Sequence, residues 1–153
     1  MGISIKERKM GLEAQTELGI KTAFKVVTDA YQPSDRPHYR CFFLDDEPNE
    51  TTEQREYPFI EITASPNWPT HHRSTFRDIP VEIKFATHKN VDGKKATLVK
   101  LYEAGRTILD TYTNVTVTGY TVNGLIIEQG GKPEAEENEQ RITLPITVKV
   151  CGA

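Results

Sequence analysis

The sequence of 153 residues has little cysteine and no long apolar run. Its two cysteines, Cys41 and Cys151, fall in predicted strands and are expected to be free, reduced and packed, which excludes a disulfide-stabilised fold. No apolar run approaches the ~20 residues that cross a bilayer, so no membrane partner is expected. The first residues lack an apolar segment followed by a small-residue cleavage site, and we therefore expect synthesis in the cytoplasm.

The charge of the chain is small and balanced. The formal net charge is −3, which gives no attraction of the whole protein to nucleic acid or to an anionic membrane. Charged residues make up 27% of the chain and hydrophobic residues 37%, as is typical of a folded soluble protein and not of a disordered one. At this length we predict a single domain over residues 1–153, with residues 1–9 as a flexible arm.

Residues 78–112 are predicted to form the centre of the fold, as a strand, a loop and a helix. The strand alternates, which places one face on a core and the other towards water, and its apolar residues are Ile79, Val81, Ile83 and Phe85. The apolar stripe of the helix consists of Leu98, Leu101, Tyr102, Gly105, Ile108, Leu109 and Tyr112. Because glycine costs roughly 1 kcal/mol of helix propensity relative to alanine, we expect the helix to approach the sheet closely at Gly105.

Further elements are predicted on both sides of this centre. A helix is predicted over 10–30, and its apolar residues include Leu12, Leu18, Ile20, Phe24 and Val27. The other predicted strands lie at 38–46, 57–65, 114–122, 125–129 and 141–150. Asn123-Gly124 is predicted to join two of them as a β-hairpin, because both residues of such a turn need positive φ. Residues 66–77 are predicted as a bent loop or, in their later half, as an extension of the strand at 78.

The closing strand has the clearest alternation in the sequence. Its alternating apolar residues are Ile142, Leu144, Ile146, Val148 and Val150. Pro145 removes one backbone donor, which predicts an edge position or a bulge for this strand. Residues 47–56 and 130–140 are predicted as acidic loops. The order of elements predicts an α+β fold, in which a mainly antiparallel or mixed β-sheet packs against two helices in a single domain with long acidic loops.

No arrangement of residues in the sequence predicts catalysis. There is no glycine-rich phosphate loop, no pair of cysteines with metal-binding spacing and no zinc-protease motif. His71 and His72 are adjacent, so on a strand their side chains would point to opposite faces and would not share one metal ion. We therefore predict a protein that is not an enzyme, with no catalytic, cofactor-binding or metal-binding residue.

The strongest candidate for an interaction site is a basic and aromatic cluster. The candidate partner-interface residues are Arg55, Trp68, His71, His72, Arg73 and Arg77. Tryptophan and arginine are enriched at the energetic centres of protein interfaces, which favours a protein-binding loop. A nucleic-acid patch that uses Trp68, Arg73 and Arg77 is an alternative, although two arginines are few. The structural alternative is a solvated loop without a partner.

The layout of elements over about residues 10–150 resembles the tail terminator (tail completion) proteins of long-tailed bacteriophages. The matching features start with an N-terminal helix and an acidic loop that leads into the strand at 57–62. A connection then leads into 81–85, followed by a loop and a helix that ends at Leu109-Asp110. A β-hairpin, an acidic loop and a closing strand at 144–150 complete the pattern.

This resemblance implies a structural virion protein at the head-proximal end of the tail. Such a protein would form a homo-hexameric ring that caps the tail tube, ends its polymerisation and offers a docking surface to the head–tail connector proteins. DNA would pass through the lumen without specific binding. In solution a monomer or weak oligomer is expected. The Pro145 strand and the predicted hairpin are expected to supply the edges that neighbouring subunits contact.

Two other functions remain open from the sequence. One is another head–tail connector protein, such as a stopper. The other is a small α+β ligand-binding or enzymatic domain, which would need polar side chains that converge in a pocket. Its candidates are Tyr57, Glu61, His71 and His72.

Overall fold

The computed structural model describes residues 11–30, 42–43, 59–65, 68–69, 76–88, 95–136 and 139–152. Its helices are α1 (Leu12–Ala23), α2 (Lys25–Ala30) and α3 (Lys95–Leu109), followed by a 3-10 turn, η1 (Tyr112–Asn114). The strands in these ranges are β1 (Phe42–Phe43), β2 (Phe59–Ala64), β3 (Trp68–Pro69), β4 (Phe76–His88), β5 (Tyr120–Ile127), β6 (Glu134–Glu136) and β7 (Glu139–Gly152). None of the described helices is long and apolar enough to cross a membrane.

The strands form one sheet, in which five of them follow the order β1-β2-β4-β7-β5. The short strands β3 and β6 pair with β4 and β7. β1 runs parallel to β2, and all the other pairs are antiparallel. Together with the helices, this mainly antiparallel sheet confirms the predicted α+β class.

One face of the sheet, here called the inner face, forms the core together with the helices. The predicted alternation in β4 and β7 is confirmed, because their inner-face residues Ile79, Val81, Ile83, Phe85, Ile142, Leu144, Ile146, Val148 and Val150 are all buried. The opposite, outer face carries mainly polar side chains. The expectation that the other face of the β4 strand lies towards water is wrong at one end, because Phe59 and Ala86 pair on the outer face and are fully buried.

Helix α3 packs on the inner face through the predicted stripe. Leu98, Leu101 and Leu109 are buried. A Cβ placed on Gly105 would lie 2.7 Å from Cζ of Phe85, which confirms the expected close approach of the helix to the sheet. The prediction for Tyr112 is wrong, because α3 ends at Leu109 and the Tyr112 side chain in η1 is 41% exposed.

The N-terminal helix differs from the prediction in two ways. It is interrupted at Phe24, so that α1 and α2 replace one continuous helix. Its buried side consists of Leu12, Thr16, Gly19 and Ile20. Leu18, one of the apolar residues of the predicted helix, is 44% exposed and does not belong to this side. At about 100° per residue, Leu18 lies nearly opposite Ile20 around the helix axis, which explains the difference.

The predicted β-hairpin at Asn123-Gly124 is wrong. Both residues lie inside β5, where the register with β7 shifts between Val122 and Gly124 as a β-bulge. The glycine with positive φ (85°) is Gly119, which lies in the turn before β5. Asn and Gly suit a bulge as well as a hairpin turn, because a bulge also bends the backbone locally. β5 is therefore one strand that pairs only with β7 among the described strands.

Pro145 does not lie on an edge strand, since β7 is between β4 and β5. Its carbonyl oxygen accepts a hydrogen bond from the N–H of Glu128, so the backbone of Pro145 faces β5. An antiparallel pair of this kind normally exchanges two hydrogen bonds, and Pro145 cannot donate the second. β5 ends one residue earlier, at Ile127. A central strand thus tolerates this proline because the missing donor lies where the neighbouring strand ends.

The predicted acidic loop at 130–140 contains a short strand. β6 pairs with the start of β7, so that Glu134 lies opposite Arg141. The Glu134 carboxylate is 3.6 Å from the Arg141 guanidinium, which places opposite charges across the pair. The loop prediction is therefore wrong for Glu134–Glu136, whereas Gly130 and Gly131 lie in no helix or strand.

Some predictions concern residues outside the described ranges. These are the flexible arm at 1–9, the acidic loop at 47–56 and most of the strand at 38–46, including Cys41. Of that strand the structure describes Phe42–Phe43. Cys151, in contrast, is half-buried in β7 as a thiol.

The side chains of Thr87 and Gln140 leave two polar atoms buried at the end of the inner face. These residues are partners across β4 and β7, and Thr87 Oγ1 and Gln140 Oε1 have no hydrogen-bond partner among the described residues. Thr87→Val is therefore expected to leave the free energy of unfolding unchanged or to raise it by up to about 1 kcal/mol, because a methyl group replaces an unsatisfied hydroxyl. Urea unfolding measures this change.

Thr16→Val is the matched control for that substitution. The Thr16 hydroxyl is also buried, but it donates a hydrogen bond to the carbonyl oxygen of Leu12 at 2.8 Å. Loss of this hydrogen bond in Thr16→Val is expected to lower the free energy of unfolding by about 1 kcal/mol. Equal destabilisation in both variants would mean that the Thr87 hydroxyl makes a hydrogen bond in the folded protein.

Candidate functional surface

The structure describes two of the six predicted interface residues. Trp68 lies in β3 opposite Asp78 of β4, and the following residue, Pro69, lies opposite Arg77. The Arg77 guanidinium donates a hydrogen bond to the carbonyl oxygen of Phe76 at 2.9 Å. The strand pairing thus places the backbones of Trp68 and Arg77 on adjacent strands. The other predicted interface residues, Arg55, His71, His72 and Arg73, lie outside the described ranges.

The candidates for a ligand pocket are described only in part. Glu61 lies on β2 opposite Lys84 of β4, which places it on the outer face of the sheet. Tyr57, His71 and His72 fall in residues that the structure does not describe. Within the described ranges, no group of three or more histidine, cysteine, aspartate or glutamate side chains is placed to hold a metal ion.

Charged side chains on the outer face form ion pairs both within a strand and across neighbouring strands. Lys84 Nζ lies 3.0 Å from Glu139 Oε2, and the Arg141 guanidinium lies 3.6 Å from the same oxygen. Farther along the sheet, Lys149 Nζ lies 3.8 Å from Asp78 Oδ2. The ion pairs of Lys84 with Glu139 and of Lys149 with Asp78 join neighbouring strands, whereas Arg141 and Glu139 both belong to β7. Opposite charges on adjacent strands favour the observed pairing.

The strand β5 is an edge of the sheet. Because the N–H of Glu128 donates to Pro145, the backbone groups of Glu128, Ile126 and Gly124 face β7. The N–H and C=O groups of Leu125 and Ile127 therefore point away from the sheet. No other described strand pairs with that side of β5. Unpaired backbone groups of this kind are a template for pairing with another strand.

Apolar side chains are also exposed at this edge. The large hydrophobic side chains that are exposed in the described ranges are Leu18, Val26, Phe76, Tyr112, Tyr120 and Ile126. Half of them belong to β5 or to η1, which lies beside it. Val122, Leu125 and Ile127 are only partly buried against the core. The edge of β5 thus combines open backbone groups with exposed apolar surface.

The opposite edge of the sheet, at β2, is partly covered by β1 and by a side chain of α1. The β1 strand pairs with only the first two residues of β2, Phe59 and Ile60. Beyond β1, the carboxylate of Glu17 in α1 accepts a hydrogen bond from the N–H of Ala64 at 2.8 Å. A helix side chain therefore occupies a backbone donor that an incoming strand would need. The two edges of the sheet are unlike, and β5 is the more open one.

From the sequence, an edge was expected in the predicted hairpin that includes the residues of β5, and one further signal for an open strand was present. Residues 111–127 contain no charged side chain. Exposed edge strands of soluble proteins usually carry charges, particularly lysine, that prevent pairing with other strands. The segment 111–127 lacks this protection.

We compared the chain with known proteins. No protein-family model matches it, and no curated protein matches it.

Proposed function

We propose that this chain is the subunit of a ring that caps the tail tube of a long-tailed bacteriophage, ends tube polymerisation and offers a docking surface to the head–tail connector. The order of helix, strands, helix and closing strand supports this proposal. Its strongest support in the structure is the open, uncharged edge of β5, since a ring subunit needs a surface that a neighbour covers.

The structure changes which strand we assign to that contact. The closing strand and the predicted hairpin were both expected to offer edges, but β7 is central and has none, and the hairpin is replaced by the single strand β5. β5 is exposed on its far side instead. In a head-to-tail ring, each subunit contacts its two neighbours through two different surfaces. We assign the β5 edge as one of these surfaces, and in the ring it contacts a different surface of the next subunit.

The acidic strand β6 suits a conduit for DNA. Its glutamates, Glu134 and Glu136, precede a further glutamate, Glu139, at the start of β7. Negative charge in a lumen would repel the DNA phosphates and prevent the protein from holding the passing strand. In this proposal DNA is therefore a passing polymer and not a bound partner.

The test adds the purified chain to growing tubes of the tail tube protein. We expect tubes that stop growing and carry a ring at one end in negative-stain images. Ile126→Lys, on the open edge, is expected to lose this effect, whereas Thr63→Lys, at an exposed outer-face position on β2 opposite Glu82, is expected to keep it. Tubes that grow unchecked and carry no rings with the unsubstituted chain would overturn the proposal.

A further inference from the structure

The edge of β5 is complementary to itself. Leu125 and Ile127 both direct their backbone N–H and C=O groups away from β7. If a second copy approaches antiparallel, Leu125 can lie opposite Ile127 of that copy, and Ile127 opposite its Leu125. Both are then hydrogen-bonded pairs, in which the residues exchange N–H···O bonds. In this register, the N–H and C=O groups of both strands already point towards each other, so neither backbone has to reorient.

The same register places Ile126 opposite Ile126 of the second copy. The backbone of Ile126 faces its own β7, so this position is a non-hydrogen-bonded pair across the new contact, where side chains lie closest. Its side chain is 45% exposed on the outer face. Pairing would cover this isoleucine with its symmetry mate, and Leu125 would meet Ile127 on the inner face.

The charges near the edge agree with this register. Glu128 would lie opposite Gly124 of the second copy, which has no side chain. Gly124 is paired on its other side with Lys149. The carboxylate of one copy therefore comes next to a lysine of the other, and no two like charges are opposed.

The other edge of the sheet does not offer an equivalent partner for β5. The Glu17 carboxylate occupies the N–H of Ala64, and β1 covers the start of β2. The short strand β6 also pairs only with β7, but it carries the carboxylates of Glu134 and Glu136, which a second copy would oppose with like charge. β5 is thus the uncharged edge that a second copy can present. From these observations we propose that the free protein forms a two-fold pair through β5, antiparallel and centred on Ile126.

The pair would shield the apolar edge before assembly. It goes beyond the ring proposal and does not depend on it, because a two-fold contact joins identical surfaces and a head-to-tail ring joins different ones. If the ring also uses β5, the pair must open before a ring closes. The free protein is then held in a form that does not assemble by itself.

Two opposite charge substitutions at one position test the register. Ile126→Lys and Ile126→Glu each oppose like charges across the two-fold axis, and each is expected to weaken self-association by about tenfold or more. An equimolar mixture opposes lysine to glutamate and is expected to associate again. Sedimentation velocity follows the mass, which should rise with concentration from 17.3 kDa towards twice that value in the unsubstituted chain.

Thr63→Lys is the control, because it adds the same charge to an exposed outer-face position on β2. It should associate like the unsubstituted chain, and circular dichroism should show that all variants are folded. A chain that stays monomeric at every concentration, an Ile126→Lys variant that pairs as well as the original, or a mixture that stays monomeric would each overturn the proposal. Self-association in sedimentation velocity and capping of tail tubes are separate measurements, and either can succeed when the other fails.

Discussion

Leu101→Ala is expected to lower the free energy of unfolding by ~2–5 kcal/mol. The Leu101 side chain is 1% exposed and belongs to the core between α3 and the inner face of the sheet. Truncation removes apolar contacts and leaves a cavity that the surrounding side chains fill only in part. The loss is a large share of the ~5–15 kcal/mol that stabilises a typical domain. Urea unfolding, followed by circular dichroism, measures it.

Lys100→Ala is the control for this prediction. Lys100 precedes Leu101 in α3 and is exposed. Its truncation is expected to change the free energy of unfolding by no more than about 0.5 kcal/mol, as is usual for a surface residue. Similar stabilities for the two variants would mean that the buried face of α3 is assigned incorrectly.

Gly19→Ala is expected to destabilise the fold although alanine is the better helix former. A Cβ on Gly19 would overlap the carbonyl oxygen of Thr116, which is backbone and cannot rotate away. Alanine gains about 1 kcal/mol of helix propensity, whereas overpacking typically costs about 1–3 kcal/mol and more where backbone must move. We expect a net loss of roughly 1–2 kcal/mol in the free energy of unfolding.

Gly124→Ala provides the comparison for the Gly19 variant. A Cβ at Gly124 meets only Cδ of Lys149, at 4.0 Å, which is an ordinary contact. Replacement of glycine by alanine at such a site is expected to be neutral or to stabilise by a few tenths of a kcal/mol, because the unfolded chain loses conformational freedom. If Gly19→Ala is as stable as Gly124→Ala, α1 does not pack against the segment after η1 as described.

The long alternating strands could be predicted from sequence because their signal is local. In β7, Ile142 to Val150 alternate along a strand that has one face on the core, and the burial follows directly. The stripe of α3 and the close approach at Gly105 were predicted for the same reason. Each of these inferences depends on residue spacing within one element, and the sequence contains that spacing.

The errors arose where the outcome depends on a neighbouring strand. Asn123-Gly124 has a hairpin composition, but it forms a bulge because β5 continues beside β7. Pro145 suggested an edge, yet it lies in a central strand because β5 ends beside it. Neither fact can be read from the local residues, since both depend on which strands are adjacent.

The edge of β5 was assigned from the structure and not from residue type. Residue type singled out Trp68 and Arg77, because tryptophan and arginine are common at interfaces. The edge of β5 is defined instead by the direction of backbone groups at Leu125 and Ile127, which no side-chain pattern specifies. In the sequence, the predicted hairpin suggested an edge in this region, and the lack of charge in 111–127 marked the strand itself.

The central claim is that β5 presents an open edge to a partner, and amide hydrogen exchange tests it most directly. In dilute protein, the N–H groups of Gly124 and Ile126, which face β7, should exchange slowly, and those of Leu125 and Ile127 should exchange fast. On association the fast pair should become protected as well. Slow exchange at Leu125 and Ile127 in the dilute monomer, equal to that of their neighbours, would contradict the claim because the edge would already be covered.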